Sequence, residues 1–251
     1  MLLENKNAVI YGAGGSIGGA VARAFAWEGA RVFLAGRTLS TLEEVAEQIR
    51  SAGGVAETAQ VDAFEEQAVD QHADAVAEKA GHIDVSFNLI SVGDVQGTPL
   101  AEMSLEDFER PVTTAVRSQF LTARAAARHM IGQGSGVILF FGGYGDPLAD
   151  YYLGGFQVAL NAIESLRRQL ASELGPHGIR AVTLQTGGVP ETIPESYDGR
   201  EAITEMIVKS TMLKWAATLD DVGNVAAFAA SDHARTMTAT ALNISCGAIV
   251  D

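Results

Sequence analysis

Cysteine is nearly absent from this 251-residue chain. Cys246 stands alone, which excludes a disulfide framework and any multi-cysteine zinc site, and suits a reducing compartment. Positive charge is also scarce, with 17 Lys+Arg against 31 Asp+Glu and a formal charge of −14. That balance argues against nucleic acid or an anionic membrane surface as the main partner. No apolar run approaches the ~18 residues that a membrane helix needs. The start, Met1 to Lys6, lacks a charged leader followed by a long apolar stretch, so no secretory signal is visible. There is no internal repeat and no low-complexity tract. Together these absences predict a compact, soluble, cytoplasmic protein without a membrane or nucleic-acid partner. Glycine is the residue in excess, at 27, and the positions of those glycines carry the rest.

Short β-rich apolar runs alternate with longer stretches at helical period. Strands are expected at Ala8–Tyr11, Arg31–Ala35, Val55–Val61, Ile83–Phe87, Val137–Phe141, Ile179–Leu184 and Ala241–Ile244. Helices are expected at Ile17–Trp27, Ser40–Arg50 and about 65–80, 104–131, 151–174 and 219–230. Thr41 and Glu44 have capping-box spacing at the second helix, where Ser40 is an equal candidate cap. Strands alternating with helices imply right-handed crossovers and a parallel sheet covered on both faces. The fold class is therefore α/β: a single doubly wound, Rossmann-type parallel sheet with helices on both faces. The chain reads as one dinucleotide-binding domain over 1–251. The irregular stretch from about 186, with its glycines and prolines, reads as a substrate loop extending to about 215.

The first strand runs into Gly12-Ala13-Gly14-Gly15-Ser16-Ile17-Gly18-Gly19 and then a helix. Glycine lets backbone approach a pyrophosphate, and free helical N–H groups favour its charge. Ile17 occupies the third glycine of G-x-G-x-x-G, so Gly12, Ser16 and Gly18 define the pattern present. The same glycines would also serve a tight turn holding nothing. Gly14 to Gly18 matches the G-x-S-x-G elbow of serine hydrolases, but that serine rises from a central strand, with several strands before it. Only about ten residues precede this one, so the hydrolase is rejected. After the second strand, the ribose-binding acid of NAD sites is expected ~20 positions on, or an arginine for the 2′-phosphate of NADP. The chain has Arg37-Thr38 and no carboxylate, which favours NADP(H) over NAD(H), unless Arg37 is simply a solvated strand end.

These residues, in this order, resemble the short-chain dehydrogenase/reductase family along essentially the whole chain, and its 3-oxoacyl-thioester reductase-like members in particular. The family's T-G-x-x-x-G-I-G turn is matched by Tyr11 to Gly18. Its adenine-contacting acid after the third strand is matched by Val61-Asp62, its asparagine after the fourth by Asn88, and its P-G-x-V by Thr186 to Val189 with Thr192 nearby. The resemblance implies cofactor contacts at Gly12, Ser16, Ile17, Gly18, Arg37, Thr38, Val61, Asp62, Asn88, Val189 and Thr192, and a homodimer or homotetramer. It also implies Y-x-x-x-K on the helix after the fifth strand, and that pattern is missing. The tyrosine and lysine positions fall on Phe156 and Leu160, the serine on Gly143 and the helix asparagine on Ala115. None carries a side-chain proton donor. Phenylalanine and leucine supply neither a proton nor a charge to a developing alkoxide. Tyr152 is the nearest candidate acid, sharing a helix face with Phe156 one turn before it, or else an aromatic packed on Phe156; Tyr144 and Tyr151 are close by.

Three readings follow. The first is a divergent NADP(H)-dependent oxidoreductase with a non-standard active site, acting on a small carbonyl or enoyl compound. The second is an inactive nucleotide-binding subunit that regulates or scaffolds a homologue. The third is a lyase or dehydratase without hydride transfer, disfavoured by the intact phosphate turn and Arg37. No metal site is expected, because His72, His82, His129, His177 and His233 show no ligand spacing and read as surface or loop residues. Arg110, Arg117, Arg124 and Arg128 read as an oligomer contact or a ligand face. Lys209 and Lys214 read as solvated.

Overall fold

A computed structural model describes residues 1–143 and 152–250. Seven strands form one parallel sheet: β1 (Asn7–Tyr11), β2 (Arg31–Gly36), β3 (Val55–Gln60), β4 (Val85–Asn88), β5 (Gly136–Gly142), β6 (Ile179–Gln185) and β7 (Thr240–Asn243). Their spatial order is β3-β2-β1-β4-β5-β6-β7. The seven expected strands are all present, and every pairing is parallel.

Side-chain alternation along each strand builds two cores. Ala8, Ile10, Val32 and Leu34 face helices α1 (Ser16–Trp27), α2 (Leu39–Ser51) and α7 (Leu219–Ala230), meeting Val21, Phe25, Val45, Ile49 and Val222. Val9, Tyr11, Phe33 and Ala35 face the opposite layer of α3 (Glu66–Ala80), α4 (Leu105–Gln133) and α5 (Gly155–Leu174). The chain leaves β1 toward β2 and β3, then returns to place β4 on the other side of β1. At that reversal the loops at the carboxyl ends diverge and open a crevice.

Four expectations change. The stretch after β6 holds an eleven-residue helix, α6 (Arg200–Ser210), none of whose residues is buried. Helix α5 begins at Gly155 rather than 151, because its N-cap Gly154 sits at φ 53, ψ −128, which ends the helical path. Tyr152 is therefore off the helix and shares no helical face with Phe156. The cap of α2 is Thr38, not Ser40 or Thr41, and Thr41 Oγ1 donates to the Thr38 carbonyl at 3.0 Å.

Candidate cofactor site

Strand β1 ends in Tyr11, and Gly12 turns the chain with φ +77, a conformation closed to most side chains. A Cβ on Gly12 would stand 2.7 Å from the Leu89 carbonyl oxygen, and one on Gly18 2.2 Å from the Gly12 carbonyl oxygen. These close approaches seat α1 against the turn. Its N-cap, Gly15, has no side chain to accept from the first-turn amides of Ser16, Ile17 and Gly18, so they stay open to an anion, with the helix dipole behind them. A Cβ on Gly15 would meet one atom only, the Gly12 oxygen at 3.5 Å, and otherwise stand in open space. The turn is thus a cradle with room for a phosphate.

Beside it lies a cleft of about 240 Å³, lined by Gly12, Gly14 and Gly15 from the turn, Arg37 and Thr38 after β2, and Val61 and Asp62 after β3. The tertiary structure brings these sequence-separated candidates together. Ser16, Ile17 and Gly18 form the helix turn beside the cleft. Arg37 is exposed and forms no side-chain hydrogen bond or ion pair among the described residues; Gln60 fixes its backbone by donating to its carbonyl at 2.9 Å. The Thr38 hydroxyl makes no cap bond. Asp62 is held by the Phe64 amide, which donates to Oδ1 at 3.0 Å, leaving Oδ2 open. Thr41, Phe64, Leu89, Ile90 and Ser91 complete the wall. The sequence did not mark these as ligand contacts, because only strand register delivers them to one edge.

Beyond β4 the chemistry changes. Asn88 is buried: its Nδ2 donates to Thr122 Oγ1 at 3.1 Å, and its Oδ1 accepts from the Ile90 amide at 3.0 Å. Ala115 on α4 is 1% exposed. Leu160 on α5 is 5% exposed and packs on the end of β5. A Cβ on Gly142 would lie 2.8 Å from its Cδ2, and one on Gly143 3.5 Å from its Cδ1. The leucine thus crowds a side chain at Gly142 and stands in ordinary contact distance of one at Gly143. Phe156 lies one turn earlier on α5 and is half-buried. Val189 is buried, and Thr192 Oγ1 donates to its carbonyl at 2.8 Å. Tyr152 is 48% exposed at φ 46, its carbonyl accepting from the Gly97 amide. Tyr144 and Tyr151 lie outside the described residues.

Several charged candidates have intramolecular roles. Arg124 on α4 pairs with Glu66 and Asp70 of α3, and Arg128 pairs with Asp70 and Asp74. Arg110 pairs within its own helix, and Arg117 Nε donates to the Phe64 carbonyl. Lys214 Nζ donates to the carbonyls of Lys209 and Thr211, closing the end of α6. His72 corrects the surface assignment: it stands edge-on to Tyr11, with Nδ1 and the phenol oxygen 3.3 Å apart. Burial lowers His72 from 6.5 to about 4 and pushes the Tyr11 phenol up, so this neutral pair sits under the phosphate turn. Among the described residues, no cluster of His, Cys, Asp and Glu is arranged to hold a metal, and no helix is long and apolar enough to cross a membrane.

The family model described as Enoyl-(Acyl carrier protein) reductase matches residues 12–248. The chain is 31% identical over 244 residues to an uncharacterized oxidoreductase of Bacillus subtilis (strain 168), covering 94% of this chain and 88% of that protein. It is 28% identical over 222 residues to gluconate 5-dehydrogenase of Gluconobacter oxydans (strain 621H), covering 88% and 86%. A solved short-chain type dehydrogenase/reductase from Mycobacterium marinum superposes with a TM-score of 0.86 at 28% identity, covering 99% of this chain and 97% of that one.

Proposed function

The chain belongs to the short-chain dehydrogenase/reductase family of oxidoreductases, and we propose that it is a divergent NADP(H)-dependent member with a non-standard active site. The observation that carries the NADP(H) reading is Arg37. Its guanidinium stands in the cleft with no carboxylate partner, next to the open hydroxyl of Thr38, where a 2′-phosphate gains charge-assisted hydrogen bonds. The uncapped amides of Ser16, Ile17 and Gly18 would hold the pyrophosphate, and Asp62 Oδ2 would accept from the adenine amino group. When bound, the nicotinamide ring supplies or accepts a hydride. Among the described residues, this chain's own contribution at that end is apolar side chains, Ala115, Phe156 and Leu160, a wall that carries no proton donor of its own. A small enoyl compound that takes its proton from solvent suits such a wall better than a simple ketone, which needs an acid at its oxygen. Tyr152, exposed and off the helix, is read as a surface residue rather than that acid.

The packing of Leu160 on Gly142 and Gly143 supports a second reading, an inactive nucleotide-binding subunit with a regulatory or scaffold role. Both readings place the protein in the cytoplasm as a homodimer or homotetramer; Val116 and Phe120 give α4 an exposed apolar face. Fluorescence titration with NADPH and NADH, followed by a screen of carbonyl and enoyl thioesters for NADPH loss, tests them. NADPH is expected to bind at least about tenfold tighter than NADH, and Arg37→Ala to erase that preference, a change of roughly 1.4 kcal/mol or more. Equal affinity for the two cofactors in the unmodified protein refutes the phosphate assignment. Binding with no turnover of any substrate selects the inactive subunit.

A further inference from the structure

Gln185 is the last residue of β6 and is 4% exposed, yet its carboxamide makes no hydrogen bond among the described residues. A buried amide without a partner forfeits the bonds it made to water, and native structures carry few such groups without a use for them. Its neighbours fix the face it occupies. Two residues earlier on the same strand, the Thr183 hydroxyl donates to Glu164 of α5, so Gln185 projects toward α5 as well. Across the ladder its register partner in β5 is Gly142, where a Cβ would point at the same helix, 2.8 Å from Leu160 Cδ2. Its partner in β7, Asn243, is already committed: Nδ2 donates to the Ile249 carbonyl at 2.9 Å, and Oδ1 accepts from the Ser245 amide at 3.0 Å. Beyond Gln185 the chain leaves the sheet, with the Thr186 amide donating to the Gly142 carbonyl at 3.0 Å and Gly188 at φ 122. An uncharged, uncommitted amide thus stands at the carboxyl edge of the sheet, where the crevice opens.

We propose that the Gln185 carboxamide is a substrate contact, with Nε2 donating to the carbonyl oxygen of a small neutral enoyl compound held over the ends of β5 and β6. The proposal rests on the reading of the crevice as an NADP(H) and substrate site. An uncharged donor suits the oxygen of an amide or thioester, which brings no charge of its own to be desolvated. The N–H stays on the residue, and its bond strengthens as the oxygen gains negative charge. Gln185 is therefore a hydrogen-bond donor and not an acid, which agrees with a proton that reaches carbon from solvent.

Nuclear magnetic resonance of the whole protein tests this without turnover, because the oxidised cofactor cannot reduce an enoyl probe. The Gln185 Nε2–H signals are identified by their loss in Gln185→Leu. They are then followed while the protein is saturated with NADP⁺ and titrated with crotonamide. The signals are expected to move with crotonamide. Gln185→Leu should bind the probe about tenfold more weakly and hold NADP⁺ within about twofold. Three results overturn the proposal and leave the cofactor reading intact: crotonamide that binds without moving the signals, that binds the variant as tightly, or that fails to bind at about 100 mM. An equal loss of NADP⁺ affinity in the variant would place Gln185 on the cofactor and overturn the proposal too. Failure of both NADP⁺ and NADPH to bind overturns the cofactor reading itself, and this proposal with it. Gln185→Met, which also lacks the amide, takes the place of the leucine variant if that one does not fold.

Discussion

The two halves of the crevice share one sheet edge and differ in what they leave unsatisfied. Around β1–β3, open amides, a guanidinium, a hydroxyl and a carboxylate oxygen point at or border one cleft. Around β4–β6, among the described residues, the Asn88 and Thr192 side chains are bonded internally and Leu160 packs on the end of β5. Gly142 and Leu160 are sterically coupled, because any side chain at 142 meets the leucine within 2.8 Å. Gly143, the position matched to the family's serine, is not coupled in this way, because a Cβ there would lie 3.5 Å from Leu160 Cδ1, an ordinary contact. By contrast, uncommitted groups at an exposed cleft stay hydrated and cost little until a ligand arrives.

The sharpest way to break this comparison is Gly18→Ala. Its Cβ would collide with the Gly12 carbonyl at 2.2 Å, forcing the turn and α1 apart. Nucleotide binding by titration should fall at least a hundredfold, and unfolding stability by roughly 3 kcal/mol. If binding persists, the open half does not depend on the turn.

Acid tests the support beneath the same half. The folded pKa of His72, about 4, lies below its ordinary value of 6.5. The unfolded chain thus takes up the proton first, and stability is lost as pH falls from about 6.5 toward 4. The loss assignable to this residue is at most about 3 kcal/mol, and denaturant melts of His72→Gln across that range should lack it. An identical pH profile in the variant would place the titration elsewhere. Tyr152→Phe is the smallest expected effect. Cofactor affinity and any enoyl turnover should stay within about twofold, and a loss of turnover greater than tenfold would put an acid into the β4–β6 half.

Much of the open half was legible before any coordinates. The β1 run, the glycines after it and Arg37-Thr38 after β2 are local signals, each a few residues long. Strand alternation likewise announced the seven strands. Helix α6 escaped notice because it buries no residue and so leaves no apolar stripe to read. The cap of α2 was misjudged because Thr38, Ser40 and Thr41 are chemically equal candidates, and only the exit of β2 chooses among them. His72 read as a surface residue because its partner, Tyr11, lies 61 positions away in the chain.

The sequence alone determined the alternating α/β order, the glycine-rich turn after β1 and the absence of a Y-x-x-x-K string, since these depend on residue identity and on periods of two and 3.6. Only the tertiary structure decided that Arg124 and Arg128 serve the α3–α4 contact, that Tyr152 stands off the helix, and that Leu160 packs against Gly142. Each of those depends on which distant segments meet. Close packing settles that in three dimensions, and no local pattern encodes it.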